Sequence, residues 1–299
     1  MPTEQEILKV IRKIVPNSKK YLFDDAAIIE KDLIITTDTI VENTHFTLKT
    51  HTPEEIGWKA LAVNLSDIAA MGGKPLYALV SLSLPANIKI KWIERFYKGL
   101  TTCAKKYKTQ IIGGNLAKSK EINITITVIG KTVGAGLAPA RRSNAKPGDL
   151  VFVTGTFGDA AAKNYKIKIL PQINLGQKVV SLTKRAALMD ASDGLADCLV
   201  QISNQSNVRI IIDEDKIPIS ISTKKASDIL NKNPINLALY GGEDYQLVGT
   251  TSEIDCKKLK KLKGIKIIGK VIKGNGAFLK QKTNRLVKLD MKKTYEHFT

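Results

Sequence analysis

The residues best suited to chemistry in this sequence are carboxylates beside strands, glycine turns and apolar segments. The chain has 28 Asp and Glu against 47 Lys and Arg, so acidic residues are scarce and their placement is informative. Those in or next to apolar stretches are Asp25, Asp38, Asp67, Asp190 and Asp193. One such carboxylate alone is most simply explained as a cap or an ion pair. The whole set favours a hard cation such as Mg²⁺, which takes oxygen ligands and leaves positions for phosphate.

The common nucleotide-binding signatures are absent from the sequence. The string GKT (130–132) resembles the end of a P-loop, but Thr125 stands where its first glycine belongs. No G-x-G-x-x-G follows a predicted strand. Phosphate binding is therefore expected to depend on metal ions and on loop amides near the glycine pairs 113–114 and 241–242. Ser192 or Asp193 also has a simpler interpretation, as the N-cap of the helix predicted over 194–203.

The positive charge is concentrated near the C-terminus. The net charge is +19, and the last 43 residues hold fourteen Lys and Arg but only two acidic residues. A basic tail can bind nucleic acid. Here, however, the lysines alternate with apolar residues such as Ile265, Ile268 and Val271, without interleaved aromatics. The pattern predicts solvated faces of folded elements, with nucleic-acid binding not expected and some attraction for anionic substrates.

Other features of the composition narrow the class of protein. No apolar run approaches the roughly 18 residues of a spanning helix, and the N-terminus has helical spacing of charged and apolar residues rather than a signal peptide. Cys103, Cys198 and Cys256 are far apart and form no C-x-x-C pair, so neither a zinc site nor a disulfide framework is expected. We predict a cytoplasmic protein without a membrane partner.

Helical and strand patterns mix along the whole chain, which indicates an α/β or α+β protein. Thr52, Pro53 and Glu55 form a capping box that begins a helix predicted to run to Met71. The polar segment 142–149 is the best domain boundary. We predict two domains, 1–140 and 141–299. The other predicted helices are 7–14, 91–106, 194–203, 222–230 and 252–262, and the predicted strands are 33–37, 76–84, 110–112, 122–130, 150–154, 209–213, 245–249 and 266–271.

Several strings together resemble the thiamine-monophosphate kinase family. The resemblance runs from about Phe23 to the C-terminus, which is nearly the whole chain. The most specific is GWKALAVNLSDIAAMGG (57–73). The others are FDDAA (23–27), TTD (36–38), VENTHF (41–46), GGN (113–115), RSNAKPGD (142–149), DASDGLADCL (190–199) and GGEDY (241–245). Asn115 stands where the family pattern has Asp, and Phe23 and Gln246 also depart from it.

The resemblance implies a two-domain fold of the aminoimidazole-ribonucleotide-synthetase type. Its N-terminal domain would bind magnesium and ATP and pair into a homodimer, and the C-terminal domain would be α/β. Several Mg²⁺ ions would be held at Asp25, Thr36, Thr37, Asp38, Asp67, Asn115, Asp190 and Asp193. ATP would be contacted by Tyr97, Gly114, Asn115, Arg142 and Ser192. Thiamine monophosphate would be contacted by His45, Glu243 and Tyr295.

The implied reaction is the transfer of a phosphoryl group from ATP to thiamine monophosphate, which yields thiamine diphosphate. The acceptor is a phosphate that is already ionised at neutral pH, so no general base is expected among the site residues. Two alternatives remain open. The chain could be another ATP-dependent enzyme of the superfamily, or a weakly active or non-catalytic homologue that binds thiamine phosphates.

Overall fold

The structure is a computed structural model that describes residues 3–30, 32–133 and 140–291. In chain order, the elements up to residue 133 are α1 (Glu4–Ile14), α2 (Ser18–Tyr21), β1 (Ala27–Ile29), β2 (Leu33–Val41), α3 (Pro53–Ala70), β3 (Gly73–Leu84), α4 (Ile90–Tyr107), β4 (Gln110–Lys118) and β5 (Asn123–Thr132). From residue 140 they are β6 (Leu150–Thr154), α5 (Asp159–Ala162), α6 (Ile173–Leu182), β7 (Ala186–Asp190), α7 (Leu195–Ser206), β8 (Arg209–Asp213), α8 (Ile221–Ile229), α9 (Pro234–Tyr240), β9 (Leu247–Thr251), α10 (Glu253–Leu259), β10 (Ile265–Ile272), β11 (Gly276–Lys280) and β12 (Leu286–Lys288).

The described residues form two compact units, each built from more than one chain segment. The five-stranded unit takes its described residues from 26–133 and 168–177. The seven-stranded unit takes its described residues from 1–25, 134–167 and 178–299. The mixed α/β class is as predicted. The division into domains 1–140 and 141–299 stays a prediction.

The sheet of the five-stranded unit has the strand order β1-β2-β5-β3-β4. Neighbouring strands are antiparallel except β3 and β4, which are parallel. Along β5, Ile124, Ile126 and Val128 are fully buried and alternate with half-buried residues, as the period of two in this strand predicts. This apolar face is covered by α3, which packs on β2, β3 and β5.

The helix α3 begins and ends where the sequence predicts. The Thr52 hydroxyl accepts from the Glu55 N–H at 3.3 Å, and the Glu55 carboxylate accepts from the Thr52 N–H at 2.8 Å. Pro53 occupies the first helical turn, and Met71 is the C-cap. Nearly every residue after Glu55 is buried because the sheet covers one side of α3 and α4 covers the other. The helix is therefore a fixed support for Asp67.

The contact between α3 and α4 depends on two glycines. A Cβ on Gly57 would lie 2.1 Å from the Phe96 carbonyl oxygen, and one on Gly99 would lie 1.9 Å from the Glu54 carbonyl oxygen. Both positions face backbone atoms of the other helix, which cannot move aside as a flexible side chain can. Only glycine permits this close approach.

We expect Gly99→Ala to lower the free energy of unfolding by about 3 kcal/mol, because the added methyl group must push the two helices apart. Thermal and urea unfolding measure the change. Thr102→Ala is the matched control, since Thr102 lies on the exposed side of α4 and its change leaves the helix crossing intact. A Gly99→Ala variant as stable as the control would contradict this account of the crossing.

The seven-stranded unit has the strand order β12-β11-β8-β10-β6-β9-β7. All neighbouring strands are antiparallel except β8 and β11, which are parallel. Its core is formed by apolar residues of β6 to β11 together with α7, which packs on this sheet. In the basic C-terminal stretch, Ile265, Ile268 and Val271 are buried between exposed or half-buried neighbours on β10, as predicted.

Several elements were not predicted, among them β1, α6, α9, β11 and β12, and three differences concern the residues of the candidate site. The strand β4 continues through Gly113 and Gly114 to Lys118, whereas a loop was expected there. Its pairing with β3 accounts for this, since a Cβ on Gly114 would lie 1.8 Å from the Val80 carbonyl oxygen. The buried strand β7 was not predicted. Finally, α7 has Gly194 as its N-cap, without a side-chain cap, so neither Ser192 nor Asp193 caps it.

Candidate active site

In the five-stranded unit, the middle of β2 and one turn of α3 bring polar side chains together. The hydroxyl of Thr36 donates to the Asp67 carboxylate at 2.5 Å, and the backbone N–H of Asp38 donates to the Asn64 side-chain oxygen at 3.0 Å. Thr36 and Asp38 share one face of β2 because side chains alternate along a strand. The hydroxyl of Thr37 lies on the other face, where Thr127 donates to it at 3.1 Å. Thr36 and Asp67 are therefore joined by a hydrogen bond, and Asp38 lies on the same face of β2 as Thr36.

The segment after β2 fixes the imidazole of His45. The backbone N–H of Val41 donates to His45 Nδ1 at 3.1 Å, so in the neutral ring the proton is carried by Nε2. The buried Lys59 donates from Nζ to the His45 carbonyl oxygen at 2.9 Å. Both bonds hold the ring so that Nε2–H is the donor it offers, and a phosphate oxygen is a suitable acceptor for that group.

The residues predicted to contact ATP from the N-terminal half lie on α4 and β4. The Tyr97 ring packs edge-on against Phe96, with ring centroids 5.4 Å apart. Partial burial raises the pKa of Tyr97, so its phenol stays protonated at neutral pH and can donate a hydrogen bond. Gly114 and Asn115 lie next to each other on β4, which is the edge strand of its sheet and is exposed along nearly all of its length.

In the seven-stranded unit, the strings DASDG (190–194) and GGEDY (241–245) form one structure. Asp190 ends β7, and backbone hydrogen bonds join the turn after it to the segment before β9. The Glu243 N–H donates to the Ser192 carbonyl at 2.5 Å, and the Tyr245 N–H donates to the Ala191 carbonyl at 3.0 Å. This pairing places Asp190, Ser192 and Glu243 beside one another, although about fifty residues separate the two strings.

The double-Asp turn is held by two arginines of the same unit. A guanidinium nitrogen of Arg142 lies 2.6 Å from Asp25 Oδ1, and the backbone N–H of Arg142 donates to Asp24 at 2.9 Å. Arg141 makes a longer contact of 3.4 Å with Asp24. Burial opposes the charge of Arg142, but its pairing with Asp25 outweighs this and raises the pKa of the guanidinium. Arg142 thus already has a carboxylate partner before any nucleotide binds.

Acidic groups crowd together near this turn. Carboxylate oxygens of Asp25 and Asp190 lie within 4.8 Å of each other, and Asp190 is 2% exposed. In the first turn of α7, burial raises the pKa of Asp197 to about 7, and the nearby charge of Asp193 adds to the effect. Carboxylates this close and this poorly solvated attract cations, and Arg142 supplies one at Asp25. Their oxygens are also the type of ligand that a divalent metal such as Mg²⁺ prefers.

Two positions that depart from the family pattern have structural roles. The Phe23 ring lies under the Arg12 guanidinium, 4.3 Å from the carbon to the ring centroid. The Gln246 side-chain oxygen accepts from the Thr154 hydroxyl at 3.0 Å. Asp244, next to Glu243, is also structural, because its carboxylate accepts from the backbone N–H groups of Gly158 and Ala160. Tyr295, predicted to contact the substrate, lies outside the described residues.

Residues 23–132 match the model of the N-terminal domain of AIR synthase related proteins. A thiamine-monophosphate kinase of Aquifex aeolicus is 35% identical, with 91% of this chain and 92% of that protein covered. The thiamine-monophosphate kinase of Bacillus subtilis is 38% identical, with 89% and 88% covered. This chain belongs to the thiamine-monophosphate kinase family.

Solved structures agree with this membership of the thiamine-monophosphate kinase family. A complex of AaThiL with AMPPCP and TMP superposes with a TM-score of 0.87 at 33% identity, covering 99% of this chain and 97% of that one. The Aquifex aeolicus enzyme gives a TM-score of 0.82 at 32% identity, with 95% and 97% covered. The hydrogenase maturation protein HypE in complex with ATP, at 18% identity and a TM-score of 0.72, shares the fold, with 94% of this chain and 91% of that chain covered.

Membership of the thiamine-monophosphate kinase family confirms several predictions made from the sequence. The two-domain fold type of the family is the observed one, and the protein is a kinase. None of the helices in the described ranges has the length and hydropathy needed to cross a bilayer. Sequence reasoning missed Asp197 and Gln201, although their spacing of four places both on one side of α7, where Gln201 accepts from Arg142.

Proposed function

We propose that this protein transfers the γ-phosphoryl group of ATP to the phosphate of thiamine monophosphate, forming thiamine diphosphate and ADP. The observation that carries the proposal is the similarity along 99% of the chain to the complex of AaThiL with AMPPCP and TMP. The two groups of site residues support it, because they offer carboxylates and hydrogen-bond donors but no activated nucleophile. Phosphoryl transfer between two phosphates needs none.

We propose that ATP is contacted by Tyr97, Gly114, Asn115, Arg142 and Ser192, and thiamine monophosphate by His45, Glu243 and Tyr295. His45 offers a fixed Nε2–H to a phosphate oxygen, and Arg142 offers a planar fork of donors. Both groups stabilise negative charge without a proton transfer. They orient two anions that would otherwise repel each other, which is the main obstacle to this reaction.

The proposed magnesium ligands are Asp25, Thr36, Thr37, Asp38, Asp67, Asn115, Asp190 and Asp193. The donor set fits Mg²⁺, since every member offers oxygen, and carboxylate oxygens of Asp25 and Asp190 lie within 4.8 Å of each other. When bound, Mg²⁺ supplies charge neutralisation and alignment for the transferring phosphoryl group. The hydroxyl of Thr36 donates to the Asp67 carboxylate and so orients it.

The decisive experiment is an end-point assay with the purified protein, ATP, MgCl₂ and thiamine monophosphate. Chromatography then quantifies thiamine diphosphate and ADP. Equal amounts of both products that depend on Mg²⁺ are the expected result. ADP without thiamine diphosphate would indicate a different acceptor and another enzyme of the superfamily. A folded protein that binds both ligands and forms neither product would be a binding homologue.

The site has one charge fewer than the family pattern because Asn115 replaces Asp. We expect Asn115→Asp to lower the Mg²⁺ concentration for half-maximal rate by at least about fivefold, since an added unit charge near a divalent ion gains more than about 1 kcal/mol. A magnesium titration of the rate measures this. Asn284→Asp adds the same charge at an exposed turn and is the control. An unchanged requirement would place the Asn115 side chain away from the metal.

We also propose that the protein is a cytoplasmic homodimer paired through its N-terminal half. The edge strand β4 supports the pairing, because Ile112 and Leu116 on it are 53% and 74% exposed. Apolar side chains on an unprotected edge strand are typical of a surface that a partner covers. The free cysteines suit a reducing compartment. Sedimentation velocity distinguishes the dimer from a monomer of 32.8 kDa.

A further inference from the structure

A row of polar side chains on α7 faces the Arg142 segment. Asp197, Gln201 and Gln205 are spaced four residues apart, so they lie on one side of the helix. Gln201 Nε2 donates to the Asp197 carboxylate at 2.8 Å, and Gln201 Oε1 accepts from the Arg142 guanidinium at 2.5 Å. Gln205 donates to the Phe23 carbonyl at 2.8 Å. The row therefore touches both Arg142 and the turn that carries Asp25.

The orientation of the Gln201 amide follows from its two partners. A guanidinium only donates hydrogen bonds, so the amide oxygen must face Arg142, and the amide nitrogen then donates to Asp197. Asp197 is 3% exposed, so solvent cannot easily replace it as the partner of Gln201. Gln201 is consequently held in one orientation, and it presents a fixed acceptor to Arg142.

The guanidinium of Arg142 is held on both of its terminal nitrogens. One bonds to Gln201 and the other to Asp25, and these bonds fix the plane of the group. Its Nε is buried and has no hydrogen-bond partner among the described residues. The main chain is held by the same helix, since the Ser206 hydroxyl donates to the Arg142 carbonyl at 2.9 Å. The end of α7 and Gln201 together set where Arg142 can reach.

We propose that Gln201 is a positioning residue for ATP binding. Supported by Asp197, it holds the Arg142 guanidinium in the plane from which its remaining N–H groups bind a phosphate oxygen. The inference rests on the proposed function, in which Arg142 contacts ATP. Neither Gln201 nor Asp197 touches the nucleotide in this proposal, and both act through Arg142.

The test measures ligand binding by calorimetry, with Mg²⁺ and a non-hydrolysable ATP analogue or with thiamine monophosphate. Gln201→Met keeps the length of the side chain and removes both hydrogen bonds. We expect the Kd for the ATP analogue to rise about tenfold, the effect of one hydrogen bond to a charged group, while the Kd for thiamine monophosphate stays within about twofold. Asn204→Ala, at an exposed position on the same helix, is expected to leave both values unchanged.

Two changes at Asp197 provide an independent check if the methionine variant folds poorly. Asp197→Asn keeps an oxygen that accepts from Gln201, so we expect wild-type binding of the ATP analogue. Asp197→Leu removes the acceptor, and we expect the weaker binding of Gln201→Met. Equal Kd values for the analogue in Asp197→Asn and Asp197→Leu would overturn the proposal. So would a folded Gln201→Met variant that binds the analogue normally, or that loses both ligands equally.

The outcome is separable from that of the proposed function. Binding of the ATP analogue requires no turnover, so a wild-type protein that binds it without making thiamine diphosphate would remove the proposed reaction and leave the role of Gln201 standing. If the wild-type protein has full kinase activity and the Gln201→Met variant binds the ATP analogue normally, the proposed reaction stands and the role of Gln201 is removed.

Discussion

Asp67→Asn is expected to lower kcat by more than about 100-fold while the protein remains folded. Replacing a residue that only orients a metal ligand typically lowers metal affinity or activity by about 10- to 100-fold. We propose that Asp67 is itself a ligand, so a larger loss is expected. The fold is expected to survive because the amide oxygen still accepts from the Thr36 hydroxyl, which lies 2.5 Å from the carboxylate in the wild-type protein. The change removes the charge and retains the shape.

Steady-state kinetics and Mn²⁺ binding together measure the effect of Asp67→Asn. Asp228→Asn removes the same charge from an exposed position on α8 and serves as the control. Thermal unfolding of both variants verifies that they are folded. Activity and Mn²⁺ affinity at the level of the control would show that Asp67 does not bind the metal.

The second large effect is expected at Arg142. In Arg142→Leu the Asp25 carboxylate, whose side chain is 2% exposed, loses its guanidinium partner at 2.6 Å. Removing one member of such a buried pair typically costs about 3 to 5 kcal/mol, because the remaining charge stays buried. We expect the free energy of unfolding to fall by about 3 kcal/mol. We also expect ATP binding to weaken by at least about tenfold, since a charged donor to phosphate is lost.

The preceding residue supplies a matched control for this prediction. Arg141 lies 3.4 Å from Asp24, and its side chain is 36% exposed, so Arg141→Leu is expected to cost less than about 1 kcal/mol. Urea unfolding and calorimetry compare the two variants. The stability of Arg142→Lys is expected to lie between those of the two leucine variants, because lysine keeps the charge but cannot bond to Asp25 and Gln201 with one planar group. Equal stability of the two leucine variants would contradict the argument.

Local signals in the sequence were sufficient to predict the bounds of a helix or strand where one chemical rule acts on neighbouring residues. The capping box at Thr52 and Glu55 gave the start of α3 to the residue, and the alternation in residues 122–130 gave β5 to within two residues at either end. The acidic residues beside these elements could be singled out because charge is costly within an apolar stretch. Asp67 was identified in this way.

Contacts between distant segments could not be predicted from such signals. Arg142 and Asp25 are 117 residues apart, and nothing near either residue indicates the other. Pairing with β3 extends β4 through two glycines that locally favour a turn. The strand β7 is Ala-Ala-Leu-Met-Asp, with no β-branched residue, and it forms because β9 pairs with it. In β4 and β7, hydrogen bonding to a distant strand outweighs the local preference of the sequence for a turn or a non-strand conformation.

The three buried cysteines make the native protein nearly inert to thiol-alkylating reagents. Burial raises the pKa of both Cys103 and Cys256 to about 12, and it raises the pKa of Cys198 well above its usual value, so little thiolate is present at neutral pH. Alkylation must then wait for local opening or global unfolding. Cys103 lies in the five-stranded unit and the other two lie in the seven-stranded unit. Peptide mapping of labelled protein would therefore record which unit opens first, with Cys103 reporting on Gly99→Ala and Cys198 on Arg142→Leu.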